Sequence, residues 1–379
     1  MEYGIYLHIP FCLVKCIYCD FYSIIDREGD IPVFVDAICS EINSSSARFE
    51  DPGKVKVKTI FIGGGTPSLV EPKWIERILN LLASIYDLSS VEEVTIEANP
   101  GEAPRQRLKD FRSIGINRLS MGFQSFQPEL LKFLTRIHSV DDCFKTFQHA
   151  RQAGFENINT DMIYNIPSQS VGIWKDDIDR LIELGPDHIS AYSLTVEKNT
   201  MLHSMVKTDK VIMPSEELDI EFYQTTDNIL SNAGFPRYEI SNFAKPGYEC
   251  EHNQGYWRMI PYLGFGPSAH SYDGLKRWWN TASLDQYLKL TSQDESPISG
   301  SEILSDNNKF NELIFNGLRM TEGAEIKTLE RHYKGLFQSY LEQAMEKWPQ
   351  LLYKDGYLKL SEKGVLLADE ISADLFVLP

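Results

Sequence analysis

Short β-branched or apolar runs alternate with amphipathic segments through the first 195 residues, and Gly, Pro or polar loops separate them. The runs Tyr3–Ile9, Thr59–Ile62, Val94–Glu97, Arg118–Gly122, Asn157–Ile163 and His188–Ser193 read as strands. Helical periodicity covers Pro32–Ser45, Pro72–Tyr86, Pro104–Ile114, Val140–Ala153 and Ile173–Leu184. Proline opens several of these segments, as in a first helical turn, and Gly115, Gly154 and Gly185 close three of them. Strand and helix in alternation predict parallel strands joined by right-handed crossovers. Six such units fall short of the eight of a closed barrel. The pattern therefore predicts an α/β fold built on a partial (β/α)6 TIM-like barrel. Periodicity leaves an open doubly wound sheet as the alternative.

Beyond residue 200 the pattern changes. Ser215–Asn232 reads as a helix, Pro236–Trp279 as an irregular aromatic-rich stretch, and the polar segment Gln293–Ser301 as a linker. Helical patterns follow at Asp306–Met320 and Ile326–Tyr333. Leu351–Leu360 carries a Lys354-Asp355-Gly356 turn suited to a hairpin, and Glu362–Leu375 reads as a last helix. The expected division is a barrel over 1–200, a barrel extension over 201–300, and a C-terminal helical, winged-helix-like module over 301–379.

Charge narrows the partners. Lys and Arg total 37 against 54 Asp and Glu, a net charge of −17 spread along the chain. Such a surface repels phosphate backbones and anionic lipid, so nucleic acid is not an expected partner. No apolar run approaches the roughly 20 residues of a membrane span, and the first residues lack the features of a signal peptide. The expected location is the cytoplasm. There, three cysteines within eight residues read as metal-binding or catalytic, while Cys39, Cys143 and Cys250 read as small buried hydrophobes.

The cluster is Cys12-x3-Cys16-x2-Cys19, directly after the first strand. A closed zinc site wants four ligands, and the nearest additions are His8 and Asp20. Three thiolates suit a cubane with one iron left open. Phe11, Tyr18, Phe21 and Tyr22 would shield it from solvent. At these residues the sequence resembles the radical S-adenosylmethionine superfamily. The string Tyr6-Leu7-His8-Ile9-Pro10-Phe11-Cys12 is similar to its coproporphyrinogen dehydrogenase-like branch. The resemblance implies a [4Fe–4S] cluster on Cys12, Cys16 and Cys19. It also implies that S-adenosylmethionine chelates the open iron and is cleaved by one electron to a 5′-deoxyadenosyl radical.

Gly63-Gly64-Gly65-Thr66-Pro67 follows the second strand, where a glycine run lets a ligand approach the backbone or simply makes a tight turn. It resembles the GGTP element of that family, which assigns Gly64, Gly65 and Thr66 to the cofactor. Glu97, Gln124, Arg136 and Asp161 sit near successive strand ends, the face where such barrels build their sites. By resemblance these four and Tyr6 contact S-adenosylmethionine; read alone, each is an ordinary capping or paired residue. At Asn165 the family often has glycine.

His252-Asn253-Gln254-Gly255-Tyr256-Trp257 lies well beyond the barrel. An imidazole among flat aromatic rings is either a packed core histidine or an axial ligand for haem. The string resembles the HNxxYW signature of HemW-type haem chaperones, and the match continues through Gly264–His270; the resemblance makes His252 the haem ligand. Coproporphyrinogen oxidases of the same branch carry a fourth cysteine where this chain has Phe21. Two functions are thus expected in order: a haem chaperone that passes haem to an acceptor protein, or an oxygen-independent coproporphyrinogen III oxidase. Both require an electron donor if S-adenosylmethionine is turned over.

Overall fold

The computed structural model describes residues 2–378. Six parallel strands form the centre of a 12-stranded sheet: β1 (Glu2–Ile9), β2 (Lys56–Gly64), β3 (Glu93–Ala98), β4 (Arg118–Gln124), β5 (Asn157–Tyr164) and β6 (His188–Ser193). Each pairs with its neighbour in sequence, in parallel, without the reversal of order that marks a doubly wound sheet. The chain takes the barrel-type order.

Between the strands run α1 (Ile31–Ser46), α2 (Pro72–Ile85), α3 (Arg105–Ser113), α4 (Pro128–Phe133), α5 (Val140–Gln152) and α6 (Val171–Leu184). Their apolar positions recur three and four apart, as in Ile75, Ile78 and Leu82 or Trp174, Ile178 and Leu181, so each helix buries one stripe. The stripes cover the outward strand residues, among them Ile5, Leu7, Ile60, Ile62, Ile96, Leu119, Met121 and Ile158. The alternate positions face inward, and apart from Phe61 they are largely polar, among them Tyr6, His8, Thr59, Glu93, Glu97, Arg118, Ser120, Asn159, Asp161 and His188. A βα barrel normally fills its interior with branched apolar side chains. Here the interior must be satisfied by hydrogen bonds instead.

After α7 (Met201–Lys207) and α8 (Glu216–Asn232), β7 (Arg237–Glu239) and β8 (Asn242–Ala244) pair on the free edge of β6. The helix α9 (Glu251–Trp257) follows. Then β9 (Tyr262–Phe265) joins the free edge of β1 in parallel, and β10 (His270–Tyr272) and β11 (Lys276–Asn280) continue outward. The stretch expected to be irregular is therefore built of short strands, too brief to show alternation. After α10 (Leu284–Ser292), the segment expected to be a linker supplies the start of an edge strand, β12 (Ile298–Ile303). Its polar residues are those of an edge that pairs on one side only.

The remaining elements are α11 (Asp306–Arg319), β13 (Ala324–Glu325), α12 (Ile326–His332), α13 (Phe337–Lys347), β14 (Leu351–Lys354), β15 (Tyr357–Leu360), α14 (Glu362–Val365) and α15 (Ala368–Asp374). They enclose a separate core around Phe310, Ile314, Leu341, Leu358 and Ile371. The hairpin is present, with Asp355 and Gly356 both at positive φ. The last helix is two pieces rather than one, because Leu367 leaves helical geometry (φ −114°, ψ 17°). This module lies against the barrel extension, where the Thr321 amide donates to Tyr238 O at 3.0 Å and Arg258 pairs with Glu322 at 3.0 Å.

One buried carboxylate pins the extension to the barrel. Glu41 on α1 accepts from the Gly266 amide (2.8 Å), Asn280 Nδ2 (2.6 Å) and the Tyr287 hydroxyl (2.6 Å). Burial pushes its pKa up from 4.5 to about 7 against those bonds. The folded chain thus keeps a proton that the unfolded chain releases, and the contribution of Glu41 to stability falls as pH rises from about 4.5 to about 7. Urea unfolding across that window is expected to show the decline, and Glu41→Gln is expected to flatten it. Glu41→Ala, which strands three donors, is expected to cost about 2–4 kcal/mol below about pH 4.5 and less as pH rises.

Candidate functional site

The three-cysteine loop leaves β1 at the C-terminal end of the barrel. Its backbone is tied down at both flanks: the Cys12 amide donates to Ile24 O (2.8 Å), the Ile17 amide to Thr135 Oγ1 (3.0 Å), and the Leu202 amide to Ile17 O (2.9 Å). Cys12, Cys16 and Cys19 are half-buried, whereas Cys39, Cys143 and Cys250 are buried. Burial raises the thiol pKa of Cys12 and Cys19; Cys12 also feels Cys16 and Cys19 electrostatically, and Cys19 feels Cys16. Among the described residues, no three His, Cys, Asp or Glu side chains converge closely enough to hold one metal ion. His8 is not free to act as a fourth ligand. Its Nε2 bonds Tyr22 O (2.8 Å), its Nδ1 bonds the Tyr6 hydroxyl (3.1 Å), and burial lowers its pKa to about 4.

A hydrogen-bonded arc underlies the loop. Arg136 Nη1 donates to Cys16 Sγ (3.6 Å), and its Nη2 donates to Asn99 Oδ1 (2.5 Å) and Gly122 O (2.8 Å). Asn99 Nδ2 donates to Thr66 Oγ1 (2.9 Å), and the Thr66 hydroxyl donates to Cys12 Sγ (3.7 Å). Two thiols are thus joined through Arg136, Asn99 and Thr66, which come from three separate loops. Asn99 was absent from the sequence-derived set; its only signal is its place at a strand end before Pro100.

The glycine run brings β2 against this loop. The Gly65 amide donates to Ile9 O (2.8 Å) and the Thr66 amide to Phe11 O (2.8 Å). A Cβ on Gly65 would lie 2.6 Å from Phe11 O, so only glycine permits this approach. The Gly64 amide donates to Glu97 Oε2 (3.0 Å). Glu97 and Asp161 are buried together in the barrel. Burial first, and then the charge of Asp161, raises Glu97 to about 8. Burial also raises Asp161, which accepts from Asn159 Nδ2 (2.8 Å) and Ser120 Oγ (3.2 Å). Gln124 closes β4 at a register shift with a left-handed φ of 68°, and Asn165 closes β5 at φ 62°. Asparagine tolerates that conformation, which accounts for its standing where glycine is common in the resembling family.

His252 lies at the opposite end. It is 3% exposed, stacks on Phe61 (5.3 Å, 28°), and has both ring nitrogens bonded. Nδ1 meets Thr59 Oγ1 (2.8 Å) and Nε2 meets the Tyr256 hydroxyl (2.9 Å). Burial lowers its pKa to about 3. Thr59 is five residues before Gly64 on β2, about 16 Å at a strand's rise, so His252 stands toward the base, separated from Tyr6 by the Phe61 ring that stacks on both.

Residues 6–181 match the model of the Radical SAM superfamily. The chain is 33% identical over 372 residues to the "Heme chaperone HemW" of Bacillus subtilis, covering 97% of both. It is 34% identical over 369 residues to the protein of that name from Lactococcus lactis, covering 97% of this chain and 95% of the relative. Among solved structures, the coproporphyrinogen III oxidase HemN of Escherichia coli superposes with a TM-score of 0.84 at 24% identity, over 99% of this chain and 90% of that one. That likeness shows the fold.

Two substitutions test the geometry. Gly65→Ala forces two loops apart and is expected to take anaerobically reconstituted protein well below the about four irons per chain of a full cluster, with unchanged far-ultraviolet circular dichroism. Asn99→Ala removes the centre of the arc without adding bulk. It is expected to keep the iron but lower the cluster's reduction potential, since a looser Arg136 donates less to Cys16. An unchanged potential in a redox titration would show that the arc does not act on the thiol.

Proposed function

We propose that this chain, which belongs to the HemW family within the radical S-adenosylmethionine superfamily, is a haem chaperone that binds haem and passes it to an acceptor protein. Similarity along 97% of the chain to proteins of that name carries the reading. Cys12, Cys16 and Cys19 hold a [4Fe–4S] cluster, and Tyr6, Gly64, Gly65, Thr66, Glu97, Gln124, Arg136 and Asp161 form the bed for S-adenosylmethionine. When bound, the cluster supplies an electron to that cofactor.

The residues of the bed have work of their own. Glu97, near 8, carries a proton at neutral pH beside Asp161. A cationic ligand entering beside the two carboxyls replaces that proton, pairing the buried charge and releasing the proton to solvent. Thr66 and Arg136 hold the loop thiols from below, so the cysteines are ordered by the barrel rather than by one another.

Phe21 is 65% exposed where the oxidases of the resembling branch have a cysteine, which leaves an apolar surface beside the cluster. This favours a haem-handling role over propionate decarboxylation. Among the described residues no helix is long and apolar enough to cross a membrane. Clustered free thiols fit a reducing compartment, and we place the protein in the cytoplasm. The acceptor and the electron donor are proteins that this chain must meet at its mouth.

The reading has a direct test. Reconstituted protein titrated with haem is expected to bind one equivalent and to release it to an apo-globin used as a trap. The same preparation, given coproporphyrinogen III, S-adenosylmethionine and a reductant, is expected to leave the propionates intact. Decarboxylation without haem binding would reverse the assignment.

A further inference from the structure

We propose that His270, on the flank of the barrel mouth, is the residue of this chain that ligates haem iron. The inference rests on the haem-chaperone reading above and names the group that serves it.

An axial ligand needs a neutral imidazole with a free lone pair that a plate as large as haem can reach. The eight histidines divide sharply on that requirement. His8, His188 and His252 are buried, and each has both ring nitrogens bonded within the barrel. His138 is buried against Phe123 O, and His332 faces Asp306. His149 and His203 are half-buried on the helices α5 and α7, without an aromatic ring stacked on them among the described residues. His270 alone among the described residues is exposed, and among them its ring makes no hydrogen bond.

His270 is also held. Its ring stacks on the Trp279 indole, with centroids 5.7 Å apart and planes 25° apart. The two residues are register partners on β10 and β11, and Trp279 pairs in turn with Gly300 on β12. A Cβ on Gly300 would lie 2.5 Å from the indole, so the missing side chain lets Trp279 lie flat and buttress the imidazole. The partial cover that Trp279 and its neighbours give the ring, and the charge of Arg277, lower the pKa of His270 against the opposing charge of Glu302, which keeps the lone pair available near neutrality.

Its position suits the cargo. Gly264 on β9 pairs with Tyr6 on β1, and Gly266 packs on the backbone of His8, so the turn from β9 to β10 stands at the mouth. Tyr22, three residues after Cys19, gives its carbonyl to His8 and accepts from the Leu284 amide with its hydroxyl. That link ties the cysteine loop to the segment following β11. Haem bound there faces solvent and an arriving acceptor; haem on His252 would require α9 to leave the base of the barrel.

Haem titrations of cluster-loaded wild type, His270→Ala and His252→Ala, followed by Soret absorbance and electron paramagnetic resonance, test this. His270→Ala is expected to shift the Soret band and weaken binding by at least the roughly 10-fold that perturbing a metal site costs. Free imidazole is expected to restore the spectrum. His252→Ala is expected to keep the wild-type haem spectrum while unfolding at lower urea. An unchanged spectrum and affinity in His270→Ala, or a change of ligation in His252→Ala alone, would overturn the proposal. Absence of haem binding in wild type would instead remove the chaperone reading on which it stands.

Discussion

The polar interior of the barrel must find partners for its buried groups, and the short helix α9 is how the base of the barrel does so. Glu93, at the start of β3, accepts from the Glu251 amide (2.9 Å) and the His252 amide (3.4 Å), the first free donors of that helix. A carboxylate there also complements the positive end of the helix dipole. The Arg118 guanidinium lies 4.0 Å from Glu93 and is 2% exposed. A charge so deeply buried is tolerated only with such a counter-charge. His252 joins the same assembly through Thr59, and His188 joins it through Tyr238 and Asn159. The HNxxYW segment is in this respect a structural piece of the barrel.

At the other end, strain and close approach replace burial as the organising terms. Gly65 lets two loops share backbone bonds, Gln124 accepts a left-handed backbone, and Arg136 reaches a thiol through a gap left by the bare Gly122. In the middle of the barrel, burial raises the carboxyls of Glu97 and Asp161 and favours their protonated forms. The mouth is thus held by close backbone contacts, while the base is held by buried polar bonds.

These two ends were unequally legible in the sequence. Six parallel strands could be read because each carries apolar residues toward the helices, and the cysteine loop because its three thiols are neighbours in the chain. The arc from Cys16 to Cys12 could not, since Arg136 and Asn99 are 37 residues apart and meet only once β3 and β4 lie side by side. β7 to β11 escaped notice because strands of three to five residues show no period. His252 illustrates a different limit. Residue type allows both a ligand and a core imidazole, and it does not reveal the Thr59 and Tyr256 bonds that occupy both ring nitrogens. The same limit hid His270, whose exposure and parallel Trp279 depend on pairing across three strands.

The closed base has a consequence for traffic. With α9 bonded to Glu93 below and the C-terminal module behind it, the base is filled by the chain's own groups, and the loops that follow the strands are the end left for exchange. A cluster in the cysteine loop and a cofactor in the barrel must be loaded first. Cargo resting on the rim comes last and leaves first. On the proposed reading, cargo at the rim departs without disturbing what lies beneath it.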